Sequence, residues 1–195
     1  MHRLSIPLVS LAATLACVPS GVAAPTNPGS TGHKGDVAAM YETFLHHWNG
    51  KNHEAINVAA SADAPSPDDM KQYADCAKEI GKPNTQWVAG SAISDLKTAL
   101  GNPASIHFID PKTWRPLDPG ALIRSGASVG PAVSAGMAQG LITLSAITFN
   151  KAQDIAVFNF SFVCGGLCGS GFIVVFYKTP EGWVQSKSTC GGYMS

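Results

Sequence analysis

Two apolar, β-rich runs, Phe160-Ser161-Phe162-Val163 and Phe172-Ile173-Val174-Val175-Phe176, flank the segment Cys164-Gly165-Gly166-Leu167-Cys168-Gly169-Ser170-Gly171. Aromatic and β-branched residues on both sides of a glycine-dense turn predict an antiparallel hairpin, and the paired cysteines pin its connection. Any fold for this chain must place that hairpin in a sheet with at least one buried face. The pattern is structural and carries no catalytic motif.

Cysteine pairing depends on compartment. Residues 1–24 have the three parts of an export signal: His2 and Arg3 at the start, an apolar run from Leu4 to Val18, and the small residues Gly21-Val22-Ala23-Ala24. The run contains Pro7 and is too short to span a bilayer. Cleavage after Ala23 is favoured, because a cut after Ala24 puts Pro25 beside the scissile bond. Cys17, preceded by Leu15-Ala16, offers a lipoprotein alternative, against which Thr14 stands where leucine is usual. Removing the leader leaves about 170 residues, a length that suits one domain with a real core. Lysine plus arginine and aspartate plus glutamate both total 13, and 13% of residues are charged. Such a balance gives no electrostatic footprint for nucleic acid, and no later run is long enough for a transmembrane segment.

Cys76, Cys164, Cys168 and Cys190 remain after the leader. In an oxidising compartment they imply two disulfides, with three connectivities open. We favour Cys164 with Cys168, which closes a tiny loop, and Cys76 with Cys190, which ties a helix to the C-terminal region. Loop entropy assigns the long link about 4–5 kcal/mol.

Residues 25–35 are polar and rich in glycine and proline, predicting a flexible leader ahead of a domain over 36–195. Val37, Met40, Tyr41, Phe44, Leu45 and Trp48 share one helical face, with Asp36 placed to cap and Asn49-Gly50 to stop. Ala55 to Ala60 predicts a short strand. Ser66-Pro67-Asp68-Asp69 starts a second helix carrying Tyr73 and Cys76 to Gly81. A short helix follows from Ser94 to Leu100, a strand from Ser105 to Ile109, and a helical turn from Asp118 to Ile123. Residues 126–140 form an Ala/Gly/Ser-rich connector, loop or loose helix. Residues 141–149, 155–163, 171–178 and 182–187 read as four consecutive strands. Helices first and strands afterwards predict an α+β fold, N-terminal helices on a C-terminal antiparallel meander of about four strands.

Chemistry-bearing residues are scattered. Cys164 and Cys168 have three residues between them in a strand-and-turn context, unlike the two intervening residues at a helix start that mark an activated redox thiol. Cys164, Cys168 and Cys190 with His107 would suffice chemically for zinc, but oxidation competes and the spacing is not that of a ligand set, so no metal or cofactor is expected. His46, beside His47, falls opposite the apolar stripe; with His53 it reads as solvated surface. There is no Gly-Xaa-Ser-Xaa-Gly elbow, phosphate loop or His-Glu-Xaa-Xaa-His helix. Trp48, Trp87, Trp114 and Trp183 read as anchors of the core.

Leu144-Ser145-Ala146-Ile147-Thr148-Phe149-Asn150, Ala156-Val157-Phe158, the segment from Cys164 to Gly171, and Gly182-Trp183 together resemble the C-terminal half of a family of uncharacterised bacterial secreted proteins. In that family a strand ending in serine and a Phe-Asn turn precede a strand closed by Cys-Gly-Xaa-Leu-Cys-Gly. Tyr41-Glu42-Thr43-Phe44-Leu45 is similar to its N-terminal helix. The resemblance covers most of the mature chain, and the cysteine hairpin is its specific part. It implies a fold and a compartment, not a reaction; Cys76 and Cys190 depart from many relatives, which also favours pairing them together. The expectation is a periplasmic or secreted, disulfide-stabilised, non-enzymatic module that binds an extracytoplasmic protein or envelope partner. The rival is a small extracytoplasmic hydrolase or thiol enzyme, built on His107, Asp110 and Ser145 or on the hairpin cysteines.

Overall fold

The hydrophobic pattern resolves into five helices and nine strands in a computed structural model that describes residues 30–50, 54–166 and 168–195. The export signal, Cys17, the start of the leader, His53 and Leu167 lie outside the described residues. In chain order the elements are α1 (Ser30–Asn49), β1 (Ile56–Ala59), α2 (Pro67–Glu79), β2 (Trp87–Val88), α3 (Leu96–Ala99), β3 (Ile106–Ile109), α4 (Pro119–Arg124), α5 (Val129–Ala138), β4 (Leu141–Leu144), β5 (Thr148–Asn150), β6 (Ile155–Gly165), β7 (Cys168–Thr179), β8 (Gly182–Gln185) and β9 (Cys190–Met194).

The sheet is larger than a four-strand meander and is mixed. One path through it runs β2-β5-β6-β4-β1-β3, while β7 lies on the other side of β6 and in turn pairs with β8 and β9. β1 is parallel to both β3 and β4, with Ile56 opposite Ile106 and Asn57 opposite Leu141. Parallel neighbours need long crossovers. Here the segments carrying α2, α3, α4 and α5 supply them, which is why helices intervene between strands that sit side by side. The expected strand over 141–149 breaks into β4 and β5, because Ser145 N and Oγ both turn to the backbone of Asn159.

β6 and β7 form the long hairpin at the centre, from Ile155 opposite Tyr177 to Gly165 opposite Cys168. Their alternation buries two different faces. Phe158, Phe160, Phe162, Val174 and Phe176 meet Met40, Tyr41, Phe44 and Leu45 of α1. Ile155, Val157, Ile173 and Val175 meet Tyr73 and Cys76 of α2 on the other face. The two helices therefore sandwich the hairpin. The aromatic stripe of α1 packs edge-on, with Phe44 5.4 Å from Phe158 and 5.0 Å from Phe160, the geometry that aromatic quadrupoles favour.

α2 begins with a full capping box: Asp69 N donates to Ser66 Oγ at 3.1 Å, and Ser66 N donates to Asp69 Oδ2 at 2.7 Å. α1 starts at Ser30, six residues before Asp36, so the end of the expected flexible leader is helical. Glycine lowers helix propensity by about 1 kcal/mol but keeps its N–H, so Gly35 does not stop a helix as proline would. The uncharged connector is also helical, as α5.

Cys76 is bonded to Cys190 across 5.3 Å between Cα atoms, and Cys164 to Cys168 across 5.1 Å. The first joins α2 to β9 and the second closes the tip of the β6–β7 hairpin. No described helix is long and apolar enough to cross a membrane.

Candidate functional site

The hairpin tip sets the position of α4 and α5 through residues with no side chain to hold them off. A Cβ on Gly136 of α5 would lie 2.5 Å from Pro119 Cγ and 3.2 Å from the carbonyl oxygen of Cys164, and one on Gly165 would lie 2.8 Å from Pro119 Cδ. Just past α5, a Cβ on Gly140 would fall 2.3 Å from the Phe162 ring. These glycines let the α4–α5 pair settle directly on the disulfide-closed end of the hairpin.

Seated there, α5 stands across from the C-terminal end of α1 and leaves a cleft of about 780 Å³ between them. Its apolar lining includes Trp48 from α1, Ile56 from β1, Ile142 from β4, Phe162 from β6 and Met137 from α5. Trp48 is fixed by aromatic packing, 4.4 Å from the Phe160 ring and 5.7 Å from that of Phe162. Asn49, Glu54, Asn57 and Ser134 add polar groups. Asn57 Nδ2 donates to the carbonyl oxygens of Ala138 at 3.4 Å and Gly140 at 3.2 Å. Its amide thus satisfies orphan carbonyls at the end of α5 and ties that helix to β1. An apolar lining with a few fixed polar groups is the usual character of a small-molecule site. A smaller hollow of about 490 Å³ lies on the other side of Asn49 and Ile56, against Leu45, His46, Pro103 and Ile106.

The residues singled out in the sequence lie elsewhere. His107 is exposed on β3, the end strand of the sheet path, and Asp110 is exposed in the following turn, where its carboxylate accepts from Lys112 N at 2.9 Å. Asn57 lies between His107 and Leu141 in register, and Ser145 is four residues beyond Leu141. Standard strand spacings then put His107 and Ser145 roughly 16 Å apart, too far for a nucleophile–base pair. His47 Nδ1 lies 2.8 Å from Gln185 Oε1, and His46 is exposed on the same turn of α1. With Cys76, Cys164, Cys168 and Cys190 in disulfides, their thiolates are not available to a metal, and no group of three or more potential ligands occurs among the described residues.

Ser145 is instead the centre of a polar knot. Tyr41, from one face of the sheet, donates to the Ser145 carbonyl oxygen at 2.7 Å; Tyr73, from the other face, lies 3.0 Å from Ser145 Oγ. Asn159 N donates to the same Oγ at 2.9 Å, and Asn159 Nδ2 donates to Asp69 Oδ1 at 2.5 Å. Burial pushes the Tyr73 phenol up to about 12; its Ser145 hydrogen bond pulls the other way and the nearby Asp69 adds to the rise. Burial raises the Tyr41 phenol as well.

Sequence reasoning missed the cleft because its residues read separately as core, connector and strand. One signal was present: an asparagine at position 57 inside an apolar strand, where a polar side chain implies a partner. No known family model matches the chain, and no curated protein or solved structure shows significant similarity to it.

Proposed function

We propose that this protein is an extracytoplasmic, disulfide-stabilised binding module that holds a small amphipathic molecule in the cleft between α1, β1 and α5. The observation that carries this reading is the cleft itself, a concave apolar surface edged by Asn49, Glu54, Asn57 and Ser134. Two disulfides agree with an oxidising compartment, and the amino-terminal signal supplies the route to it. The non-enzymatic character is part of the proposal. Supporting it, the Ser145 hydroxyl is held by Tyr73 and Asn159, with no histidine bonded to it among the described residues.

Nile red, a neutral dye with a flat apolar body, tests the cleft. We expect saturable one-site binding with a blue shift of the dye and a change in tryptophan emission from Trp48. Ser134→Trp, at an exposed position on the cleft wall, should weaken binding at least tenfold while leaving the melting temperature unchanged. Failure of the dye to saturate, or equal affinity in the folded S134W variant, would overturn the assignment.

A further inference from the structure

The two disulfides differ in how closely a reagent can approach them. Cys76 and Cys190 are 1% and 2% exposed, packed with Tyr73, Val157 and Ile173 beneath α2. At the hairpin tip Cys164 is as deeply buried, but Cys168 is only half-buried and lies two positions beyond the exposed Gly166. A thiolate opens a disulfide by attacking one of its two sulfurs, so access decides which bridge exchanges and from which end. Here the approachable bridge is Cys164–Cys168, entered at Cys168.

The buried half of that bridge is the seat of α5. Cys164 belongs to the core on the α1 side of the sheet, its carbonyl oxygen lies against Gly136 of α5, and the next residue, Gly165, lies against Pro119 of α4. A Cβ on Gly140 would fall 3.2 Å from Cys164 Cβ, at the same place where it would strike the Phe162 ring that lines the cleft. The β6–β7 ladder also shifts register between Val163 and Gly165, inside the span that the bridge closes. Such an irregularity interrupts the ladder hydrogen bonds, which leaves the covalent link to hold the tip in shape under α4 and α5.

We propose that Cys164–Cys168 is a thiol-exchange site for a dithiol reductant, and that opening it unseats the α4–α5 pair from the hairpin tip. One thiolate of the reductant attacks Cys168 Sγ, the protein S–S bond breaks, and its electron pair leaves on Cys164 Sγ, which takes up a proton. The second thiolate then attacks the reductant's own sulfur in the mixed disulfide and expels Cys168 Sγ, which is protonated in turn. The dithiol departs as a disulfide, and two electrons have passed to the two cysteines. The bridge is thus a target of exchange and not a redox catalyst, in keeping with its spacing. Only four positions separate its cysteines, so its loss frees little of the unfolded chain and the rest of the fold persists on the long bridge. A consequence for ligand binding rests on the reading of the cleft given above: Ser134, Met137 and Ala138 of α5 form one wall, which loosens when the seat is released.

The test is limited reduction of the folded protein with dithiothreitol, followed by trapping of free thiols with N-ethylmaleimide and peptide mapping, and by hydrogen–deuterium exchange before trapping. We expect Cys164 and Cys168 to become reactive at least tenfold faster than Cys76 and Cys190. Amide exchange across residues 129–139 should then rise at least tenfold while that of α2 stays slow, because local opening is read by exchange. Reoxidation should restore the slow exchange, and the double substitution Cys164→Ser/Cys168→Ser should show the fast exchange without reductant. The reduced wild type carries the comparison by itself should that variant not fold. The proposal is overturned if the long bridge opens first, if both open together, or if α5 exchanges no faster once the hairpin bridge is open. Nile red gives a separate readout, with at least fivefold weaker binding expected after reduction; equal affinity would overturn the coupling to the cleft. Absence of dye binding in the oxidised protein would sink the cleft reading alone, since mapping and amide exchange decide the exchange site without a ligand.

Discussion

Ser145 is the residue where both layers of the molecule meet. Its hydroxyl replaces a ladder partner for Asn159 N, while tyrosines arriving from opposite faces of the sheet bond its oxygens. Buried polar groups of this kind stabilise when every member is satisfied and cost about 1–3 kcal/mol when one partner is lost. The knot also makes stability sensitive to alkali. Tyr73 stays neutral in the fold up to about 12, whereas in the unfolded chain it ionises at the ordinary value near 10. Its contribution is complete below about pH 10 and is lost as pH rises from there towards 12, because the unfolded chain sheds the proton first. Urea midpoints measured at pH 9, 10 and 11 should fall faster for wild type than for Tyr73→Phe. Parallel curves would remove Tyr73 from the account. The sequence singled out Ser145 only as a serine for the rival hydrolase reading and gave no sign of the knot, whose partners lie far away in the chain.

At the scale of elements, closeness in sequence decided what was readable. The α1 stripe and the Ser66 capping box are local patterns, and the β6–β7 hairpin joins neighbours whose turn bears its own glycines and cysteines. The parallel pairing of β1 with β3 and β4 has no such local mark, since each strand is short and its partners follow intervening helices. α5 lacked a stripe because its buried positions are Ala132 and Gly136, and its larger apolar side chains face outwards. β9 includes Gly191 and Gly192, residues of low strand preference that the neighbouring β7 holds in place. The same small residues give a prediction about α5. As the reference, Gly35→Ala inside α1 meets nothing within 4 Å, so better helix propensity should stabilise the protein by about 0.5–1 kcal/mol. Gly140→Ala drives a methyl into the Phe162 ring and should cost about 1–3 kcal/mol. Thermal melts of the two variants should move in opposite directions; matching shifts would refute the close packing of α5 on the hairpin.

For the whole molecule, the two disulfides differ in reach. Cys76 and Cys190 are 114 positions apart, while Cys164 and Cys168 are four apart. On the chain-entropy model, the long link is worth about 4–5 kcal/mol and the short one about 2 kcal/mol. Replacing Cys76 and Cys190 together with serine should therefore lower the non-reducing melting temperature more than replacing Cys164 and Cys168. The reverse order would show that the short bridge, beneath α4 and α5, matters more than the long one. The hairpin cysteines were the plainest mark in the sequence; the pairing of Cys76 with Cys190 was favoured there too, but as one of three open connectivities, because nothing local brings α2 to β9.

The long bridge also divides the chain mechanically. Residues 76–190 lie inside one covalent ring, while α1, β1 and the first part of α2 sit on the chain leading into it. A pull applied between the two ends would strip α1, draw β1 from between β3 and β4, unwind α2 as far as Cys76 and then stop, with the tension passing straight from Cys76 to Cys190. Residues inside the ring would feel none of it, and about 400 Å of potential chain extension would stay locked until the bridge was reduced. The cleft has one wall on each side of that divide, α1 outside the ring and α5 within it. Tension at the amino terminus would thus open the cleft and part β3 from β4, while the β6–β7 hairpin and the α4–α5 pair remained whole.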